Sequence, residues 1–256
     1  MFLFCILSTK TAVPLGHGGL WIDGVGWYNP SDAQSYNNLG VWNRNAYFWE
    51  LSSFDSCNGH PAPNSYEYHI HVTQFFFILF ELNNLILISL KCNPICLYTT
   101  ANSSYHSPLI GFAFDGYPIY GPYGYSSANN SASTIKLLQP SFYLRSITAR
   151  TSLYNGTVLS STYYGPTINS TYPLGSYIED YAYTAGYGDL DYYNGRYCVT
   201  PEYPSGTYAY FIAVNSSYVP QYPYIIGPSY YGTPITIQTG TISETVTTYY
   251  SYSSGK

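Results

Sequence analysis

Charged residues are what this chain has least of. Lys and Arg number 8 and Asp and Glu 13 among 256 residues, 8% of the chain, with a formal balance of −5. So few cations cannot build a basic stripe along a phosphate backbone, and a nucleic-acid partner is excluded. Motifs that would announce a reaction are missing as well. There is no G-x-S-x-G turn to expose a serine nucleophile, no phosphate-cradling glycine loop and no dinucleotide fingerprint. Met occurs once, and helical periodicity has little support.

Long apolar runs are scarce too. The one sustained block, "FFFILFELNNLILISL" at 75–90, falls short of the roughly 20 apolar residues of a membrane helix. It carries Glu81, Asn83 and Asn84 near its centre, so no stable membrane span is expected. Between Thr73 and Cys92 there is no Gly, Tyr or Pro, in a chain full of all three. Without residues 73–92 the text runs from "YHIHV" straight into "NPICLYTT", in keeping with its surroundings. We read 73–92 as an insert retained from an intron, with a genuine surface insertion as the alternative. On the intron reading, the functional protein is the spliced form.

Tyrosine is what the chain has in excess: 34 copies beside 12 Phe, 4 Trp, 22 Gly and 17 Pro. Tyrosine suits pleated, half-buried surfaces, and Gly and Pro punctuate short segments, which predicts an all-β fold. The architecture expected is a β-sandwich or an irregular barrel with long Tyr/Ser/Asn-rich loops. Short strands are predicted at "LWIDGVGWY", "AYFWEL", "YEYHIHV", "LIGFAFDGYPIYG", "GTYAYFIAVN", "YPYIIG" and "PITIQTGTISETVTTYY", with loops dominating 126–188. One domain is expected over 11–240. It is preceded by a clipped signal segment at 1–10 and followed by a last strand or tail at 241–256. Five N-x-[ST] sequons, at Asn102, Asn129, Asn155, Asn169 and Asn215, point to a glycosylated protein, secreted or held at the cell surface.

Candidate chemistry concentrates in "FDSCNGHPAPNSYEYHIH", which holds three of the five histidines. Residues two apart on a strand share a face, so His69 and His71 offer imidazoles side by side. His60 follows a Gly-led turn that can fold it back toward them. Such a trio suits one transition-metal ion, zinc or copper, and Asp55, His106 and Asp115 are further candidate ligands. A buried hydrogen-bond network is the alternative. Asp115 stands in an Asp-Gly pair between two apolar runs, first of all a hairpin turn. Asp189, Asp191 and Asn194 in "GDLDYYNGRYC" likewise read as a turn rather than a calcium loop.

Taken in order, "GLWIDGVGWYNPSDAQSYNNLGVWNRNA", "FDSCNGHP", "YHIH", "SPLIGFAFDGYPIYGPYGY", "DLDYYNGRYCVTPEYPSGTYAYF" and "YPYIIGPSYYG" resemble the YHYH-domain family, secreted or envelope proteins named for that tetrapeptide. The resemblance implies a β-rich extracellular domain with a histidine cluster and supplies no substrate. Ile70 replaces the second tyrosine of the tetrapeptide, while His69 and His71 keep both histidines. Tyr193 stands where the family pattern carries a Cys, which leaves Cys198 without its usual partner. Within the resemblance, with Cys5 in the signal segment and Cys92 in the insert, Cys57 and Cys96 form the expected disulfide. Two functions fit this sequence. One is a metal-binding domain, whose ion would support hydrolysis or oxygen chemistry if it kept an open position. The other is a non-catalytic surface module that binds a glycan or protein through exposed aromatics. The small molecule, glycan or protein partner is not named by any motif.

Overall fold

The computed structural model describes residues 10–55, 57–62, 67–72 and 103–235. The suspected insert, Cys5, Cys92, Cys96, Asn102 and the segment 241–256 lie outside these residues. Fourteen strands follow in chain order: β1 (His17–Trp21), β2 (Gly26–Tyr28), β3 (Ser31–Ser35), β4 (Asn43–Asn45), β5 (Gly59–Pro61), β6 (Tyr68–Ile70), β7 (Leu109–Ala113), β8 (Pro118–Tyr120), β9 (Tyr123–Tyr125), β10 (Ile135–Leu137), β11 (Phe142–Leu144), β12 (Tyr181–Tyr183), β13 (Gly195–Cys198) and β14 (Thr207–Phe211). Among the described residues one short α-helix, α1 (Ala46–Trp49), lies between β4 and β5.

Eight strands form one sheet in the order β13-β14-β8-β7-β1-β2-β6-β5, and three two-stranded ribbons surround it. The all-β expectation is met. The barrel alternative is not, because β13 and β5 end the sheet without pairing to each other. Pairing is antiparallel except at β14 with β8 and at β2 with β6. The hairpins are those the turn residues dictate. Asp115-Gly116 closes β7 onto β8, with Gly116 at φ +84°, where a side chain would be strained.

Tyrosine fills the core. Strand β14 is buried on both faces: Tyr208 and Tyr210 join the main cluster with Trp27, Ile110 and Ile119, while Ala209 and Phe211 pack with Tyr120 and Leu138. A buried phenol needs a partner for its hydroxyl, and acids supply several. Tyr208 donates to Asp191 at 2.8 Å, Tyr210 to Asp115 at 2.6 Å and Tyr120 to Glu202 at 2.8 Å. Three of the 13 acids are thereby engaged by buried phenols. Asp191 also accepts from the backbone of Tyr193 and Gly195, which confirms "DLDYYNG" as a turn. Cys198 is buried with a free thiol.

Two segments depart from the predicted strands. "AYFWEL" is helical, because the Asn45 side chain caps the turn by accepting from Tyr47 N at 3.2 Å and buried Ala46 faces the core. A 3₁₀ turn, Leu51–Ser53, continues it. "YPYIIG" is a buried turn whose first peptide, Tyr222–Pro223, is cis. The loop-rich reading of 126–188 holds, apart from the short strands of two ribbons. Among the described residues no helix is long and apolar enough to cross a membrane.

Candidate metal centre

The site occupies the β5 end of the main sheet. Asn58, at φ +59°, and Gly59 turn the chain into β5, and the Asp55 carboxylate locks this turn. It accepts from Cys57 N at 2.8 Å, Gly59 N at 3.1 Å and the Tyr68 hydroxyl at 2.9 Å. A Cβ at position 59 would meet the Tyr68 ring at 2.3 Å, so the approach requires glycine. The antiparallel register then sets His60 directly opposite His69. His71 stands two residues further along, on the same face as His69. Ile70 between them points the other way, into the core. The exchange of the family's tyrosine for isoleucine therefore falls on the face away from the histidines.

All three imidazoles are buried, with 3–7% exposure. One ring nitrogen of each lies within 4.8 Å of the others, a group able to hold a metal ion. The hydrogen bonds determine which nitrogen faces inward. Nδ1 of His71 meets the Asn29 carbonyl at 2.7 Å, and Nδ1 of His69 meets the Glu67 carbonyl at 3.2 Å. Carbonyls only accept, so both Nδ1 atoms carry the proton. His60 Nδ1 lies 2.9 Å from Ser53 Oγ, whose own proton goes to the Glu50 carbonyl at 2.6 Å. Ser53 is therefore an acceptor too. Each ring is left with an unprotonated Nε2, and an acceptor behind the opposite nitrogen is the pattern that orients metal-binding histidines.

The Nε2 atoms of His69 and His71 are 3.0 Å apart. Two bare lone pairs at that distance repel unless a proton or a cation lies between them. Burial opposes the proton: the His71 imidazolium is destabilised to a pKa of about 3 and that of His60 to about 4, with desolvation the main cause in each and charge on neighbouring imidazoles adding to it. Burial also lowers His69. At neutral pH the trio is uncharged, as a metal ligand must be.

A carboxylate not expected from the sequence stands beside two of the three rings. Glu50, at the C-terminus of α1, places Oε2 3.3 Å from His71 Nε2 and 3.6 Å from His60 Nε2. Both Glu50 Oε2 and His60 Nε2 are buried without a hydrogen-bond partner. Desolvation, reinforced by nearby Asp32, raises the Glu50 carboxyl to about 7, against the opposing pull of Arg44. Ligand bonds of about 2.0–2.1 Å at tetrahedral angles put neighbouring donors about 3.3 Å apart. Three separations, 3.0 Å for His69–His71, 3.3 Å for Glu50–His71 and 3.6 Å for Glu50–His60, bracket that value, within a histidine set whose donors span up to 4.8 Å. The signal for Glu50 in the sequence is a lone acid in an aromatic segment of a charge-poor chain.

Aromatic rings wall the group. Tyr28 stacks on His69 with centroids 3.9 Å apart, and Phe54 meets His60 edge-on at 5.1 Å. Outside Tyr28, Glu67 pairs with His17 and accepts from the Tyr28 hydroxyl. The further candidates are engaged elsewhere. Asp55 holds its turn as described. Asp115 accepts from the Tyr210 hydroxyl and from Gly232 N at 2.8 Å, at the β7–β8 hairpin. His106 bonds Ser107 O through Nδ1 and packs among Tyr120, Tyr125 and Phe211. None of the three joins the histidine group.

A family model described as YHYH protein matches residues 7–223, most of the chain. The protein belongs to the YHYH family. His69 and His71 are the two histidines of its tetrapeptide, so the motif after which the family is named supplies two of the three histidines of the group. No curated protein and no solved structure gives a significant match.

Proposed function

We propose that this YHYH protein is a secreted metal-binding domain. Its ion, zinc first among the candidates and copper second, is held by Nε2 of His60, His69 and His71 and by the Glu50 carboxylate. The observation that carries this reading is the 3.0 Å approach of two Nε2 lone pairs whose Nδ1 protons are already committed to carbonyls. A purely structural hydrogen-bond network would place a donor opposite an acceptor there. Three neutral imidazoles and one carboxylate suit zinc, and Glu50 neutralises one of its two charges. A bound zinc ion would act as a Lewis acid toward any ligand reaching it from the Glu50 side, the most exposed of the four donors at 23%.

The test is a cobalt(II) titration of metal-free protein, followed by visible absorption. Intense d–d bands saturating at one equivalent are expected, and they should be lost in His69→Ala. No bands, or bands that persist in the variant, would refute the assignment.

Residence outside the cell is part of the same proposal. Three sequons support it: Asn155, Asn169 and Asn215 each accept through Oδ1 from the backbone N–H of the hydroxyl residue two positions on, at 3.0, 2.9 and 2.9 Å. That turn leaves the Nδ2 amide for a glycan, and Asn129, Asn155 and Asn169 are exposed. A Cys57–Cys96 bridge belongs to the proposal too, since Cys57 lies in the turn that delivers His60. Peptide mapping of the secreted protein without reduction identifies both the bridge and the glycans.

A further inference from the structure

Away from the histidines, the β11–β12 ribbon closes an aromatic box. Phe142 and Tyr183 are cross-strand partners whose rings lie 5.3 Å apart. Tyr192 meets Tyr183 at 88°, and Tyr222 meets Phe142 at 82°, so the walls stand in more than one plane. The box encloses about 200 Å³. Pockets for drug-sized ligands run roughly 300–1,000 Å³, so this one takes a small molecule. It shares Tyr154 and Glu179 with a neighbouring hollow of about 350 Å³. Tyr154, half exposed, stands at that junction and marks the way in.

The acid in this apolar setting is the informative group. Glu179 is half-buried, and its two oxygens accept from Asn43 N and Nδ2, both at 2.7 Å. Both donors are neutral. Arg145 approaches Glu179 but bonds its backbone carbonyl, at 2.8 Å, and among the described residues no Lys or Arg makes an ion pair with the carboxylate. Its neighbour in the same turn, the buried Asp180, has Arg150 on both oxygens at 2.7 Å. Glu179 is thus a half-buried acid lacking a counter-charge, and it lines a cavity whose remaining walls are largely π-systems.

We propose that this box binds a small organic cation, a methylated or quaternary ammonium, with the aromatic rings around its alkyl groups and Glu179 as its counter-charge. The ring quadrupoles attract a cation at their faces, and exclusion of water strengthens both that attraction and the ion pair. Desolvation raises the Glu179 carboxyl to about 7 against the hydrogen bonds from Asn43, and a bound cation would favour its charged form.

The test is calorimetric titration of the full chain with choline and, in parallel, with 3,3-dimethylbutan-1-ol, its neutral isostere. Choline should bind at least about tenfold tighter than the alcohol, the selectivity that cation–π and ion-pair contacts supply. Tyr154→Ala, at a half-exposed position, and Glu179→Gln should each weaken choline at least about tenfold while leaving the melting temperature of Tyr154→Ala unchanged. Equal binding of the two compounds would make the box a mere apolar cavity and overturn the proposal. Absence of choline binding, or binding undiminished in a folded Tyr154→Ala, would overturn it as well.

Discussion

Zinc should stabilise this protein by an amount that the linkage relation sets, and only through the histidine group. At a hundredfold excess over its Kd, a ligand confined to the folded state adds about 2.7 kcal/mol. In a domain of this size each kcal/mol moves Tm by roughly 2–4 °C, so a rise of about 5–11 °C is expected. The geometry gives the effect a local origin. With no cation present, the Nε2 atoms of His69 and His71 confront each other at 3.0 Å, and Glu50 Oε2 and His60 Nε2 are buried unpaired. Each unpaired buried polar atom costs about 1–3 kcal/mol, and coordination removes that cost. The assay is calorimetric melting of chelator-treated protein at pH 7.5 with and without zinc, beside a His69→Ala, His71→Ala double variant. A wild-type rise that is absent, or equal in the double variant, would show the reasoning to be wrong.

Other outcomes are as specific. Glu50 must lose its proton to neutralise a cation and its carboxyl sits at about 7, so zinc affinity should climb as pH rises to 7 and level off above it. Glu50→Gln should abolish that climb and weaken binding at pH 8 by about 10–100-fold, measured with a competing chelator. In metal-free protein, His71 has a pKa of about 3 when folded and an ordinary one, 6.5, when unfolded, so unfolding takes up a proton between these values. That contribution to stability is complete above 6.5 and declines as pH falls toward 3; a denaturation series should show His71→Asn with a flatter pH slope than wild type across this window. Ser53→Ala should weaken zinc about 10–100-fold by freeing the His60 ring, without removing a ligand. Far from the site, Arg150→Ala should cost about 3–5 kcal/mol in urea unfolding, because it strands buried Asp180 after removing a bidentate pair at 2.7 Å.

How much of this was legible in the sequence depends on the range of the interaction. The His69 and His71 pairing was legible because a strand's period of two is local, and His60 because a Gly-led turn lies just before it. The Asp115-Gly116 hairpin was legible for the same reason. Glu50 was not. Its segment, "AYFWEL", carries aromatic residues that suit a strand, and only the Asn45 cap and the burial of Ala46 decide for a helix. The approach of that helix to β5 and β6 is a tertiary event with no local trace. Asp55 looked like a ligand because it lies five residues before His60, yet the turn that presents His60 consumes its carboxylate. Tyrosine abundance suggested surface aromatics; much of it instead forms the core, where phenols claim the scarce acids.

The most direct measurement is elemental analysis of the full-length chain secreted into medium containing zinc and copper, beside the His69→Ala, His71→Ala variant purified identically. About one equivalent of zinc or copper per wild-type chain, absent from the variant, is expected of the proposed site. Metal-free wild-type protein, or equal metal in both, would contradict the central claim and return the histidines to a structural role.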